Sequence, residues 1–576
     1  MAGYLNDSIL LYVNRLADWD LYYRLSKGEE VDVDAERQAL VGVLETAAEI
    51  CQSIEPLARE GWDEEATLSD DQVEKPAHIR EGYARLAEAG LVAVGIREEF
   101  GGFELPTLLG NVLLQMVARA DAALMTVMGL QAGVANDIQK YASRQLCERY
   151  LPGFISGELQ GAMDLTEPQA GSDLGGIVTR ALDEGDHSRL QGQKIFITNG
   201  GSEIHLVLAR DGETFDESKG TTRGLSLFVC PRTLPDGRPN TVHVERLEHK
   251  LGIHGSPTAV VRFDDAEAWR IGTRGEGFKA MLNLMNEARL GVAAQGIGIA
   301  EAALQEAVRY AKQRKQFGIP IGQQPLMKNM LSRMIVSLEA SRALLYRCSC
   351  LVDRSRALEK ALESDERSEA ERSELQRQYD RVEVQIRLLT PLAKYLATES
   401  CDSISREAIQ VHGGLGFMAE SVVGRLHLDA IITTIYEGTS EIQISFALKE
   451  IGKGALGIVF EELEAELSKL TEEPLAGFAA KVRRGIERIG EASSALLQDF
   501  SYALLSSRLV AEMVISVIAA TELLAQAAAD PRRTELAARW IHLKLPELEM
   551  HAQRLETGDA GRIERSERII ELFDDA

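Results

Sequence analysis

The sequence predicts a mainly α-helical protein built around a central antiparallel β domain, and three observations carry that expectation. Residues 1 to about 160 place apolar side chains at helical spacing, as at Leu40, Val43, Leu44, Ala47, Ala48 and Cys51. Between Leu190 and Phe263 short β-rich runs (KIFITNGG, IHLVLARDG, LSLFVCP, TVHVERL, TAVVRFDD) alternate with glycine and polar turns. From Gly277 helical periodicity returns and lasts almost to the C-terminus. This order differs from the regular strand–helix alternation of a dinucleotide-binding chain, so a nucleotide cofactor is not expected on a glycine-rich βα turn.

The elements follow in order. Helices are expected over Ala35–Arg59 and Ile79–Leu91, then a glycine-punctuated break at Glu98–Phe103, then Leu108–Ala122, Ala123–Tyr141 and Ser143–Phe154. The β unit spans 161–272. A helical region at 273–455 carries a highly charged stretch at 353–383, read as a solvated helix or helical hairpin. Residues 456–576 form a further helical domain, in which 509–529 is too apolar to stand alone in water and must pack on the body or a partner chain.

Composition narrows the function. A chain of 576 residues exceeds a single core and divides into domains. The net charge of −26 argues against nonspecific nucleic-acid binding, which needs a basic face to release counterions. The cysteines are scattered; only Cys348 and Cys350 are near neighbours, which is a poor metal signal, so no metal is expected. Inert thiols in a reducing cytosol are the simpler reading, which places the protein in the cytoplasm. The start of the sequence lacks signal-peptide character, and no eighteen uninterrupted apolar residues occur, so no membrane span is expected.

Several segments carry chemistry. Tyr436-Glu437-Gly438-Thr439-Ser440-Glu441 sets one carboxylate between an aromatic residue and a glycine, a setting that suits a catalytic base. Met163-Asp164-Leu165-Thr166-Glu167-Pro168-Gln169-Ala170-Gly171-Ser172-Asp173 offers small and hydroxyl residues whose donors could meet a flat polar ring. In Lys194–Gly201, Phe196 and Thr198 share one strand face, where an aromatic could pack on such a ring and a hydroxyl could bond its edge. Arg314-Lys315-Gln316-Phe317-Gly318, followed by Gln323-Gln324-Pro325, closes a helix beginning near Ala302. It supplies a guanidinium for a pyrophosphate and an aromatic surface. Gln410-Val411-His412-Gly413-Gly414 lets backbone approach a ligand closely, with His412 read as structural. Taken singly, each also fits a plain loop or a core aromatic.

Together, in this order, these segments resemble the acyl-CoA dehydrogenase family of flavoenzymes over roughly residues 75 to 455. The resemblance implies an N-terminal helical domain (1–160 with its extension), a middle β-barrel domain (161–272) and a C-terminal four-helix bundle (273–455). It implies FAD as cofactor and an acyl-CoA as substrate. Glu437 would remove the α-proton while the β-hydride passes to flavin N5, and the base's own N–H and a ribityl hydroxyl would hold the thioester oxygen. Met163, Leu165, Thr166, Gly171, Ser172, Phe196, Thr198, Thr439 and Glu441 would bind FAD. Arg314, Gln316, Phe317, Gln323, Gln324, Gln410, Gly413 and Gly414 would reach the FAD of a neighbouring subunit, which makes the active form an oligomer. Ser172, Asn286, Arg289, Tyr436 and Gly438 would face substrate.

The chain departs from the family at Met163 (usually tyrosine), Phe196 (often tryptophan), Asn286 (often aspartate) and Glu441 (often glutamine). Ala288 occupies the position where some members carry their base, and it cannot take a proton. The extension, the charged stretch, the appended helices and the run at 248–258 resemble the larger subgroup, which includes very-long-chain and 3-methylmercaptopropionyl-CoA enzymes. That subgroup implies a dimer. Gly129, Leu130 and Gln131 would lie near the pocket floor beside small Ala132 and Gly133, implying medium-to-long acyl chains. Electron-transferring flavoprotein is the implied acceptor. The alternatives are an acyl-CoA oxidase using O2 and a DNA-associated alkylation-response relative, for which Arg483, Arg484, Arg532 and Arg533 are the notable basic clusters.

Overall fold

The computed structural model describes residues 3–28, 30–363, 367–494, 500–559 and 561–574. It forms two compact units, Met1–Leu5 with Leu40–Tyr310 and Ala408–Thr433, and Asn6–Ala39 with Ala311–Glu407 and Thr434–Ala576.

In the first unit the expected helices form at Ala77–Glu88, Thr107–Ala120, Ala122–Tyr141 and Arg144–Ser156, after the long helix Val33–Gly61. The Asp121 carboxylate caps the third of these by accepting from the N–H groups of Ala123 (2.9 Å) and Leu124 (3.0 Å), so two apolar helices follow each other across one residue. A short hairpin, β1 (Thr67–Ser69) and β2 (Gln72–Glu74), was not foreseen, because three-residue strands leave too little pattern. Its turn places Asp70 and Asp71 at positive φ, as a two-residue type I′ turn requires.

The β unit contains β3 (Gly161–Asp164), β4 (Arg180–Asp183), β5 (Ser188–Thr198), β6 (Ile204–Asp211), β7 (Leu225–Pro231), β8 (Val242–Leu247) and β9 (Thr258–Ile271). Strands β6, β4, β5, β9 and β7 pair in succession, and β7 pairs back to β6, which closes a barrel. β3 and β4 both run parallel to β6, at Gly161–Asp164 against Ile204–Val207 and then at Arg180–Ala181 against Arg210–Asp211. The sheet is therefore mixed rather than wholly antiparallel. Residues 165–179 leave it after β3 and rejoin it at β4, on the same edge of β6.

Strands β6 and β7 are buried along their whole length because both faces are covered. Val207, Ala209, Phe228 and Cys230 point into the barrel with Leu190, Val261 and Phe263. Leu206, Leu208, Leu227 and Val229 meet Val134, Ile138, Leu151 and Phe154 of the helices. Each large apolar side chain so buried contributes roughly 1.5–3 kcal/mol.

The second unit is helical: Pro325–Leu362, Ser440–Gly452, Ala455–Leu467, Leu475–Ser493, Ser507–Ala529 and Thr534–Thr557, with most of Glu369–His412. Within the charged stretch 353–383 one long helix ends at Leu362 and another begins at Glu369, and residues 364–366 lie outside the described residues. Asp353, Ala357, Leu358, Leu375 and Val382 are buried there, so charge marks only the outer faces. The segment Phe500–Ala529 is long and apolar enough to cross a membrane by length and composition, although polar residues interrupt its apolar run. In the fold 72% of its most apolar window is buried, and Trp540 of the next helix bonds to the Ser516 carbonyl (3.0 Å).

The N-terminal residues belong here rather than with 40–160. Tyr12 packs edge-on against Tyr346 (5.0 Å) and donates to Glu522 (3.1 Å). Ser8 donates to Glu339 (2.8 Å), and Arg533 donates to both Glu339 (3.0 Å) and Ser8 (2.7 Å). The spans 1–160 and 273–455 are thus each divided between the two units.

Candidate active site

The predicted residues fall into two sets, one in each unit. In the first, Met163 sits on buried β3, and Leu165 and Thr166 open the excursion between β3 and β4. Glu167 and Ala170 exchange backbone hydrogen bonds (2.8 and 3.0 Å), which tightens the loop and leaves Gly171 and Ser172 exposed. The Glu167 carboxylate accepts from Lys194 Nζ (2.8 Å), the Thr179 and Val178 N–H groups (3.0 and 2.8 Å) and Gln169 (2.7 Å). Lys194, fully buried, also donates to the Leu165 and Leu208 carbonyls (2.9 and 2.8 Å). Burial pushes the Glu167 carboxyl up, but Lys194 and the hydrogen bonds outweigh it and hold its pKa below the usual value. This pair sets the loop, and sequence reasoning missed it because both residues sit inside quoted motifs as apparent scaffolding.

Phe196 and Thr198 do not lie on a regular strand. Between Lys194 and Ile197 the pairing with β9 slips by one residue, making a β-bulge at Ile195–Phe196. Phe196 adopts φ +59° and is 62% exposed. On the helix Gly277–Gln313, Arg289 is buried and donates to Asn286 Oδ1 (2.8 Å), while Glu287 accepts from Asn136 (3.1 Å). Gln131 is also turned into the core, where it accepts from the Tyr83 hydroxyl. His412 is held by its bond to the Ala408 carbonyl (2.8 Å) and stacks on Tyr310 (4.3 Å), beside exposed Gln410, Gly413 and Gly414.

In the second unit, Arg314 follows a helix that begins at Gly277, far upstream of the expected Ala302. A miniature hairpin, β10 (Lys315–Gln316) and β11 (Ile319–Pro320), lifts Phe317 to 94% exposure at φ +52°. Gln323 and Gln324 lie just past it, before the helix Pro325–Leu362.

The segment around Glu437 is built differently. Glu437 has φ +54° and Gly438 φ +91°, and the helix Ser440–Gly452 begins directly after Thr439. Two fully buried side chains hold this turn. Gln443 Nε2 donates to the carbonyls of Glu437 and Gly438 (2.9 Å each), and Lys394 Nζ donates to the Gly438 carbonyl (2.7 Å). The φ of Gly438 favours glycine, and a Cβ there would meet Gln443 Nε2 at 2.7 Å and push that donor aside. Tyr436 is half-buried, Thr439 is exposed, and Glu441 pairs with Arg508 (2.8 Å). Lys394 and Gln443 were missed as well; the only signal was a lysine inside the apolar run Pro391–Ala397.

Family models for acyl-CoA dehydrogenase match residues 43–158 (N-terminal domain), 162–266 (middle domain), and 275–364 and 370–452 (C-terminal domain). The chain belongs to the acyl-CoA dehydrogenase family. It is similar to 3-methylmercaptopropionyl-CoA dehydrogenase of Ruegeria pomeroyi, 30% identical over 98% of this chain and 94% of that protein. The butyryl-CoA dehydrogenase structure from Megasphaera elsdenii matches with TM-score 0.59 and 28% identity, over 71% of this chain and 96% of that one. An FAD-complexed acyl-CoA dehydrogenase from Bacillus anthracis shares the fold over 92% of this chain and 90% of its own, with TM-score 0.74 and 23% identity.

Acyl-CoA dehydrogenases are FAD-dependent oxidoreductases acting on the CH–CH bond of CoA thioesters, and this chain is an enzyme of that kind. Its residues fit the cofactor. Phe196 and Phe317 hold flat apolar rings into solvent on left-handed backbone, a conformation that costs about 1–3 kcal/mol each, and such exposed rings suit packing on a flat cofactor. Among the described residues, chain neighbours aside, nothing lies within 4 Å of the place a Cβ would take at Gly413 or Gly414, which leaves room for close backbone approach.

Proposed function

We propose that the enzyme converts a medium-to-long acyl-CoA to the trans-2-enoyl-CoA, with Glu437 as the base. The observation that supports this most is the clamp of Lys394 and Gln443 on the Glu437–Gly438 carbonyls. A base must be held in a defined place to take a weakly acidic α-proton, and side-chain donors on its own backbone do this. With both carbonyls held, the turn would present the Glu437 N–H where the thioester oxygen gains charge as the α-proton leaves. Bound FAD supplies the acceptor for the β-hydride. Met163, Leu165, Thr166, Gly171, Ser172, Phe196, Thr198, Thr439 and Glu441 would hold it. Arg314, Gln316, Phe317, Gln323, Gln324, Gln410, Gly413 and Gly414 would hold that of a partner subunit in a dimer. Ser172, Asn286, Arg289, Tyr436 and Gly438 would line the acyl-CoA.

Purified protein should show a flavin spectrum and bleach anaerobically with acyl-CoA. Glu437→Gln should keep the flavin and lose the bleaching; bleaching at the wild-type rate would remove Glu437 from this role. The acyl preference fails if kcat/KM falls steadily from butyryl-CoA to palmitoyl-CoA. The full-length similarity to the Ruegeria enzyme favours including 3-methylmercaptopropionyl-CoA in that series. Electron-transferring flavoprotein is the proposed acceptor; rapid re-oxidation of bleached enzyme by air would instead point to an oxidase.

A further inference from the structure

The helices appended after Gly457 reach the segment that carries the base. Glu441, in the first turn after Glu437-Gly438-Thr439, pairs through Oε1 with Arg508 Nη2 (2.8 Å). Arg508 opens the appended helix Ser507–Ala529, and its guanidinium lies over the Tyr395 ring, 5.6 Å from the centroid. One turn further, Glu512 accepts from the Tyr395 hydroxyl (2.9 Å) and pairs with His551 Nε2 of the next appended helix (3.0 Å). Tyr395 is the neighbour of Lys394, which holds the Gly438 carbonyl (2.7 Å). One turn along from Tyr395, Glu399 accepts from Ser440 Oγ (2.5 Å). The appended helix therefore meets both supports of the turn, the Lys394 helix and the helix that starts at Ser440.

We propose that Arg508 is a positioning residue for the reaction, through which the appended domain orients the Glu437 turn and balances the carboxylates around it. This rests on the reading of Glu437 as base. Burial draws the Arg508 guanidinium down, yet Tyr395, Glu441, Glu399 and Glu512 together hold its pKa above the ordinary value. One cation thus serves three carboxylates beside a turn whose own carboxylate must stay ionised to accept a proton. Without Arg508, Glu441 loses its ion-pair partner and adds uncompensated negative charge there. The Arg508–Glu441 pair is half-exposed and weak for stability, so its effect falls on the rate rather than on folding.

The test uses full-length, flavin-loaded protein. Arg508→Glu should lower kcat about fivefold with KM, flavin content and Tm unchanged, the scale of one exposed ion pair. Arg508→Lys, which keeps the charge, should retain most of the rate. Wild-type kcat in Arg508→Glu, or an equal loss in Arg508→Lys, overturns the proposal. Glu437→Gln in the same assay separates the two readings: if it abolishes bleaching while Arg508→Glu does nothing, only the role of Arg508 falls.

Discussion

Lys394, on a helix that begins at Glu369, places its fully buried amine 2.7 Å from the carbonyl oxygen of Gly438, forty-four residues on. The bond ties the residue after the proposed base to the centre of the helical unit. Gln443 shares that oxygen as acceptor. Lys394→Met should therefore leave a partly buried carbonyl one donor short, at a cost of about 1–3 kcal/mol. We expect anaerobic flavin reduction to slow at least tenfold with flavin content retained, as read by stopped-flow absorbance. An unchanged rate would mean that the turn does not depend on this amine.

Gln443→Leu should act through the same turn. Because both side chains serve the Gly438 oxygen, the double variant leaves it with neither donor and should be more impaired than the two single losses combined. Rate losses that multiply fully would show the two to be independent.

Lys194→Met is expected to damage the β unit more broadly. It strands the buried Glu167 carboxylate and takes a donor from the Leu165 and Leu208 carbonyls, and breaking such a pair costs about 3–5 kcal/mol. Thermal melting should show a lower Tm, and dialysis should show faster flavin loss. In the wild type the Glu167 pKa is depressed, so its contribution is full above the unfolded value near ~4.3 and is lost as pH falls through the lower folded value.

Asp429 has the opposite sign. Burial, aided by Asp121, pushes its carboxyl up to about 7 despite bonds from the Ile253 N–H (2.6 Å) and Trp62 Nε1 (3.0 Å). The folded state then holds a proton that the unfolded chain releases near ~3.9. Stability should fall as pH rises from about 4 to about 7, by up to ~1.4 kcal/mol per pH unit, and level off above that. Asp429→Asn should flatten this slope in melting curves taken across the range; an unchanged slope would show that another group causes it.

Phe196→Gly separates stability from cofactor retention. Glycine accepts φ +59° without strain, so flavin-free protein should melt no lower, while flavin should dissociate faster. Equal flavin retention would show that the exposed ring does not cover the cofactor.

Much of this was legible in the sequence. The helix spacing from Leu40 to Cys51, the apolar pair of helices on either side of Asp121 and the five β-rich runs each state their periodicity locally. The closing pair of the barrel is different: β6 and β7 read as plain apolar runs, and nothing in them shows that β3 and β4 share one edge of β6. The same limit hid Lys394 and Gln443. A motif names the residue that faces a ligand, whereas the residues behind it are chosen by contacts across distant chain. The placement of residues 6–39 with the C-terminal helices rests on such contacts too, through Tyr12, Ser8 and Arg533.

Because β3 ends and β4 begins against nearly adjacent residues of β6, Val207 and Arg210, the excursion 165–179 starts and finishes at almost one place on the barrel. Its contour can lengthen, shorten or change composition without shifting any strand against its neighbour. The barrel then acts as a mount with an interchangeable fitting, and descendants of this sequence could alter what that loop grips while leaving barrel closure intact.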